Sequence, residues 1–156
     1  MKKQCVVVFA IFCVIAFCMA PAAASAGDSE KKISDNIMVS PLVLPIYETK
    51  SSLTGAIVSG QTKTYTYVVP SGDTQMDVQL SWKSSSNSLA LSLTSPSGRT
   101  YGEYNDNYES STPNARIPVH LEASSGTLPS GTWTISVIGK SVSGSESFTL
   151  VVNTYN

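Results

Sequence analysis

Cysteine and histidine are scarce in this sequence, and their scarcity excludes much catalytic chemistry. The three cysteines, Cys5, Cys13 and Cys18, lie within the first 18 residues, and the only histidine is His120. The rest of the chain therefore has no cysteine for a thiol nucleophile and too few cysteines and histidines for a zinc cluster. One histidine does not establish a Ser–His–Asp site, and no G-x-S-x-G, H-E-x-x-H or P-loop motif occurs. The sequence predicts a protein that is not an enzyme.

Long apolar runs are also missing, apart from one at the start of the chain. Residues 5–20 are apolar, two lysines precede them, and Ala24-Ser25-Ala26 follows. This order is typical of a secretory signal peptide, here residues 1–26, with Gly27 as the first exported residue. An uncleaved anchor is the alternative, although 16 residues fall short of the roughly 20 that span a bilayer. We expect a secreted or cell-surface protein without membrane insertion after cleavage.

Charged residues are few, at 13% of the chain, and neither sign dominates. Loss of Lys2 and Lys3 with the signal peptide reduces the 10 basic residues to 8, against 11 acidic residues. A weakly acidic chain has no basic footprint for nucleic acid or for anionic lipid. Residues 27–36 are polar and lack periodicity, which predicts a flexible leader before the folded domain.

Alternation of apolar and polar residues dominates the sequence from residue 37 onward. Runs with this period of two occur at residues 64–69, 75–82, 88–93, 132–137 and 147–152, with shorter apolar runs at residues 42–47, 55–58 and 117–121. Glycine and proline turn signals separate the runs, and no helical period is present. The sequence therefore predicts one all-β domain over residues 37–156, a single antiparallel jelly-roll-like β-sandwich of seven to nine strands.

The phase of the alternation also predicts the core. Trp82 and Trp133 lie in phase with aliphatic residues of their strands, so their side chains are expected inside the sandwich. The same phase predicts four further core residues, which are Leu80, Leu91, Ile135 and Leu150.

The longest irregular stretch, residues 102–114, is a candidate binding region, because long loops on rigid sandwiches often carry binding. Tyr101, Tyr104 and Tyr108 lie in or beside it. Exposed aromatic faces stack on sugar rings or on peptide, whereas buried aromatic side chains fill the core. These three tyrosines are therefore predicted as ligand-binding residues, with core packing as the alternative.

The same loop is rich in oxygen donors. Glu103, Asn105, Asp106, Asn107 and Glu109 fall within seven positions. Calcium takes carboxylate and carbonyl oxygens, but the EF-hand spacing is absent, and asparagine and aspartate are also ordinary loop formers. If the chain binds calcium as a cofactor, we expect Glu103, Asn105, Asp106 and Glu109 to be its ligands.

A small secreted hydrolase is the remaining enzymatic hypothesis. His120 lies in an apolar strand between Val119 and Leu121, which predicts a surface or half-buried residue without a catalytic role. A glycosidase would need two carboxyl groups facing each other across a cleft. The sequence does not pair any of its candidate acids, which are Asp73, Asp77, Glu103, Asp106, Glu109 and Glu122.

Four segments, in this order, resemble the pre-peptidase C-terminal domain, a small secreted sandwich appended to many extracellular proteases and collagenases. The first is Ser59-Gly60-Gln61 with the strand at residues 64–70, and the second is the strand at residues 76–82. The third is the strand at residues 88–93 with the turn Ser95-Pro96-Ser97-Gly98. The fourth is Gly131-Thr132-Trp133-Thr134-Ile135-Ser136-Val137, which follows the family pattern G-x-W-x-[VI]-x-V. The resemblance covers residues 59–152. One departure is that Ser88 and Ala90 stand where the family's middle strand often reads D-L-D-L.

The resemblance implies a sandwich fold and an accessory binding role rather than peptidase activity. Such domains bind extracellular protein or polysaccharide, so the expected function is an exported, non-catalytic binding module for these polymers. A structural component of the cell envelope or matrix is the alternative. Because Ser88 and Ala90 offer no carboxylate, we expect no ion ligation by that strand.

Overall fold

The computed structural model describes residues 36–43 and 51–156, which form nine β-strands. In this part of the chain, no helix has the length and hydropathy of a membrane span. The predicted signal peptide and leader residues 27–35 lie outside the described residues. The strands are β1 (Ile37–Pro41), β2 (Ser51–Val58), β3 (Thr62–Val69), β4 (Gln75–Trp82), β5 (Ser88–Thr94), β6 (Thr100–Asn105), β7 (Arg116–Ala123), β8 (Gly131–Ser141) and β9 (Ser145–Tyr155).

The strands form two antiparallel sheets. Sheet A has five strands in the order β1-β7-β4-β9-β2, and sheet B has four strands in the order β3-β8-β5-β6. Alternate residues are buried along β8 and in the second half of β4, because one face of each sheet packs on the shared core and the other face points outward. The predicted antiparallel β-sandwich of seven to nine strands is confirmed.

The first strand differs from its prediction. The apolar run at residues 42–47 predicts a strand, but β1 ends at Pro41, Leu42 and Val43 follow it, and residues 44–47 lie outside the described residues. Ile37 and Val39 pack against the core instead, and they alternate with exposed neighbours. Leu42 and Val43 are therefore not part of a strand, whereas a strand over residues 44–47 stays a prediction.

Side chains from both sheets meet in one core, and Trp133 lies fully buried within it. Its indole Nε1–H donates to the backbone oxygen of Pro129 at 2.8 Å, so the polar atom of this large side chain is satisfied. Every residue predicted for the core is buried, with Trp82 at 8% exposure and the others at 0–1%: Leu80, Leu91, Trp133, Ile135 and Leu150.

Strand β6 departs from simple alternation at Gly102. Its pairing with β5 shifts register between Leu91 and Leu93, and Gly102 has a φ of 94°. A Cβ at this position would lie 2.9 Å from the backbone oxygen of Leu91. The bulge lets Tyr101 and Tyr104, although three residues apart, both pack against the core. The sequence predicted that the irregular stretch begins at residue 102. This prediction was wrong for residues 102–105, which continue β6.

Candidate functional site

A shallow groove of about 550 Å³ crosses the outer face of sheet A. It spans β4, β9 and β2, which are neighbours in that sheet. Trp82 and Phe148 also border the groove, but their side chains are turned to the core and are 8% and 2% exposed. The side chains on the outward phase define the site, and we call them the hydroxyl groove: Thr54, Ala56, Ser81, Lys83, Ser147 and Thr149.

Strand register explains why these residues meet. Thr54 lies opposite Thr149, and Thr149 lies opposite Ser81, so three hydroxyl side chains form one row across the sheet. Ala56 and Ser147 form the next pair. Neighbouring strands are about 4.8 Å apart, so the hydroxyl groups repeat at that spacing. Because these side chains are small, the face is left open as a groove instead of being filled.

The sequence analysis missed this site. Serine and threonine on the polar phase of a strand are typical of any solvent-facing surface, so their pattern alone did not indicate binding. Thr54 and Thr149 are far apart in the chain, and only the strand order β4-β9-β2 brings them together. The one signal available in the sequence was that Ser147 and Thr149 lie on the outward phase of their strand.

Lys83 is the only charged side chain of the hydroxyl groove. Its ammonium group forms no ion pair with the residues that the structure describes. Its backbone N–H donates to Glu146 Oε1 at 3.2 Å, and the other oxygen of Glu146 accepts a hydrogen bond from Asn87 Nδ2. Glu146 and Asn87 are 6% and 7% exposed, so this end of the groove rests on a buried polar network.

His120 and Asp77 meet farther along the same face of sheet A. His120 Nδ1 lies 2.6 Å from Asp77 Oδ1, and His120 Nε2 lies 4.0 Å from Glu122 Oε2. The register of β4 with β7 places the two residues opposite each other, across 43 positions of sequence. His120 is half-buried, but its contact with Asp77 was not predicted, because no local pattern links residues so far apart.

The loop tyrosines do not form an open platform. Tyr101 is 6% exposed and its ring stacks on Trp133 at a centroid distance of 5.9 Å, so the prediction of a ligand-binding role is corrected to core packing. Tyr104 and Tyr108 are half-buried, with ring centroids 4.6 Å apart. Burial, and then the neighbouring Tyr108, raise the pKa of Tyr104 to about 12, and burial raises the pKa of Tyr108. Ligand binding by these two residues stays a prediction.

The acidic residues predicted as calcium ligands either form ion pairs or are buried. Glu103 pairs with Lys140 at 2.8 Å, and Glu109 pairs with Arg116 at 2.5 Å. Asp106 is 6% exposed, and burial raises the pKa of its carboxyl group. Among the described residues, no three His, Cys, Asp or Glu side chains are grouped to hold a metal ion. Calcium binding stays an untested prediction for the full set of Glu103, Asn105, Asp106 and Glu109.

The Glu109–Arg116 pair predicts a pH-dependent contribution to stability. Hydrogen bonds from Arg116 and Asn114 hold the pKa of Glu109 below its ordinary value of 4.5. Ionised Glu109 therefore stabilises the fold above that value, and the contribution is lost as the pH falls through the lowered folded-state pKa. We expect Glu109→Gln to reduce the free energy of unfolding by about 1–2 kcal/mol near neutral pH and by less in acid.

Urea denaturation at neutral and at acidic pH measures this difference. The control is Glu103→Gln, because the ion pair of Glu103 is exposed and should contribute less than about 1 kcal/mol. An equal loss of stability from Glu109→Gln at both pH values would contradict the assignment.

Comparison with known proteins adds little to this geometry. No protein-family model matches the chain, and no curated protein matches it. Among solved structures, the chain is similar to PliG of Aeromonas hydrophila, a periplasmic inhibitor of g-type lysozyme. The two are 16% identical, the match covers 74% of this chain and 94% of that chain, and the TM-score is 0.40. A likeness at this level carries no argument about function.

Proposed function

We propose that this chain is an exported, non-catalytic binding module whose hydroxyl groove holds an extended segment of an extracellular polymer. The observation that carries the proposal is the groove itself. It is open, it crosses three strands, and it combines a row of hydroxyl groups with the ammonium group of Lys83, which has no ion-pair partner among residues 36–43 and 51–156. The floor belongs to a paired sheet, so the donors are held in place before a ligand arrives.

The lining favours a protein polymer over a carbohydrate. Sugar-binding surfaces expose aromatic faces that stack on the rings. The aromatic residues bordering this groove, Trp82 and Phe148, turn their rings to the core. What the groove offers is hydrogen bonding and one positive charge, which suit the amide groups of an extended peptide and an acidic side chain. A polysaccharide ligand is the alternative outcome of the test below.

Two other features of the sequence support the proposal. Residues 1–26 have the order of a secretory signal peptide, which places the expected partners outside the cytoplasm. The resemblance of residues 59–152 to the pre-peptidase C-terminal domain implies an accessory binding role, and we propose membership of that family on the same grounds. A structural component of the envelope or matrix remains the alternative from another class.

A hydrolase is a second candidate because His120 contacts Asp77. The arrangement does not favour it. Because Nδ1 of His120 contacts Asp77, a base at His120 would have to face its nucleophile through Nε2, and Nε2 lies 4.0 Å from the Glu122 carboxylate. We expect purified protein to show no turnover of casein, collagen or common polysaccharides. Turnover that His120→Ala abolishes would establish the hydrolase and overturn the proposal.

Ligand-dependent stability tests the binding function. Thermal unfolding is measured with gelatin and casein as protein probes, and with soluble polysaccharides as carbohydrate probes. A bound ligand at a hundredfold excess over its dissociation constant stabilises by about 2.7 kcal/mol. We expect this stabilisation from a protein probe, because the groove has hydrogen-bonding groups and no stacking surface.

Two matched variants locate the site. Ser147→Tyr places a bulky ring in the groove and should abolish the stabilisation. Thr66→Tyr makes the equivalent change on the exposed face of β3 in sheet B and should preserve it. Loss of the stabilisation in both variants, or in neither, would contradict binding in the groove.

A further inference from the structure

Within the part of the chain that the structure describes, strand β2 is an edge of sheet A without the usual protection against pairing. Edge strands are commonly guarded by charged residues, proline, bulges or short length. The edge strand β1 has five residues and ends in Pro41, β3 carries Lys63, and β6 carries the bulge at Gly102. β2 has eight residues, no charged residue, no proline and an unbroken register with β9.

The bonds at the end of β2 show which backbone groups face the open side. Val58 N–H donates to Gln61 Oε1 at 3.3 Å, and Val58 O accepts from Gln61 N–H at 3.1 Å. Val58 therefore points its backbone groups away from β9. Residues two apart in a strand share this direction. The N–H and C=O groups of Ser52, Thr54 and Ala56 consequently face the open edge.

We propose that β2 pairs antiparallel with β2 of a second copy of this chain, and that a two-fold axis passes between the two Thr54 residues. In this register Thr54 faces Thr54, and Ser52 of each copy faces Ala56 of the other. Each facing pair exchanges both of its backbone hydrogen bonds. A register shifted by two residues in one direction leaves some of these backbone groups without a partner. A shift in the other direction places Val58 opposite the second copy, although the backbone N–H and C=O of Val58 are already bonded to Gln61.

A second copy fits this edge because a two-fold axis makes like residues meet. Charged residues at such an axis repel, but β2 has none, and the one charged residue in the part of β9 that pairs with β2, Glu146, is buried. Lys83 lies two strands away, so two copies of it would be about 24 Å apart, beyond the Debye length of about 8 Å. Pairing would also cover Leu53, which is 38% exposed and would face Gly55 of the other copy.

The symmetry gives the assembly a defined size. A two-fold contact uses the same edge of both copies, so it closes at a dimer and leaves no second β2 edge for further growth. The two five-stranded sheets would join, with both hydroxyl grooves on one face. The proposal does not depend on ligand binding, and a dimer would form whether or not the groove holds a polymer.

Sedimentation equilibrium of the purified protein tests the proposal. We expect a dimer for the natural chain, and monomers for Thr54→Lys and for Thr54→Glu, because each variant places like charges on the axis. A mixture of the two variants should restore the dimer, since lysine would then face glutamate. Circular dichroism checks that each variant is folded.

Two further variants separate the edge from other surfaces. Thr66→Lys makes the same change on β3, and Ser147→Tyr fills the groove without altering β2, so both should remain dimeric. A natural chain that is monomeric at every concentration, or that forms open-ended oligomers, would overturn the proposal. A dimer that survives Thr54→Lys, or that the mixture fails to restore, would overturn it as well.

Discussion

Replacing Trp133 with alanine is expected to reduce the free energy of unfolding by about 3–5 kcal/mol, as truncation of a large buried aromatic residue does. Trp133 has no exposed surface, stacks on Tyr101 and donates its indole hydrogen to Pro129 O. Alanine would remove the stacking partner of Tyr101 and leave the Pro129 oxygen without its donor. It would also leave a cavity between sheets that cannot fully close.

Urea denaturation of the variant and of the natural protein measures this loss. Thr134→Ala is the matched control, because Thr134 is the next residue of β8 and points to the outer face, where substitutions cost about 0.5 kcal/mol or less. A loss below about 1 kcal/mol for Trp133→Ala would contradict its place in the core.

Asn87→Ala is expected to cost about 2–4 kcal/mol, because it breaks a buried polar network that includes a carboxylate. Asn87 Nδ2 donates to Glu146 Oε2, and Asn87 Oδ1 accepts from Ser143 N–H at 2.9 Å. Both Asn87 and Glu146 are buried. Alanine would therefore leave an oxygen of the Glu146 carboxylate without its partner in a place that water reaches poorly, whereas Ser143 is exposed and its backbone N–H can bond to water.

A double-mutant cycle with Glu146→Gln identifies the cause of that loss. If the orphaned carboxylate is responsible, Asn87→Ala should cost less in the Glu146→Gln background than in the natural protein. Equal costs in both backgrounds would show that the Ser143 bond, or packing alone, carries the effect.

Strand pattern and core could be predicted from the sequence because both depend on local alternation. A period of two places Trp82 and Leu80 on one face of β4 whatever the rest of the chain does, and both are buried. Tyr101 was assigned a binding role by another argument, its place beside the longest irregular stretch, and that argument failed because residues 102–105 continue β6 and Tyr101 is buried. The bulge at Gly102 adds a residue to β6, so positions beyond it change face, and this register shift with β5 is not visible in the sequence.

The candidate site could not be predicted because it depends on strand order. The groove exists only where Thr54, Ser81 and Thr149 become neighbours through β2, β9 and β4. His120 and Asp77 meet for the same reason, through the pairing of β7 with β4. Residues far apart in the chain are brought together by long-range pairing, about which local pattern carries no information.

Mapping of ligand contacts by NMR tests the binding proposal most directly. Isotope-labelled protein is titrated with gelatin peptides, and the amide resonances that shift are assigned to residues. Binding in the hydroxyl groove predicts shifts at Ser81, Lys83, Ser147 and Thr149, with sheet B unchanged. Shifts confined to Tyr104 at the end of β6 and Tyr108 in the loop after it, or to the outer face of sheet B, would contradict the groove as the binding site.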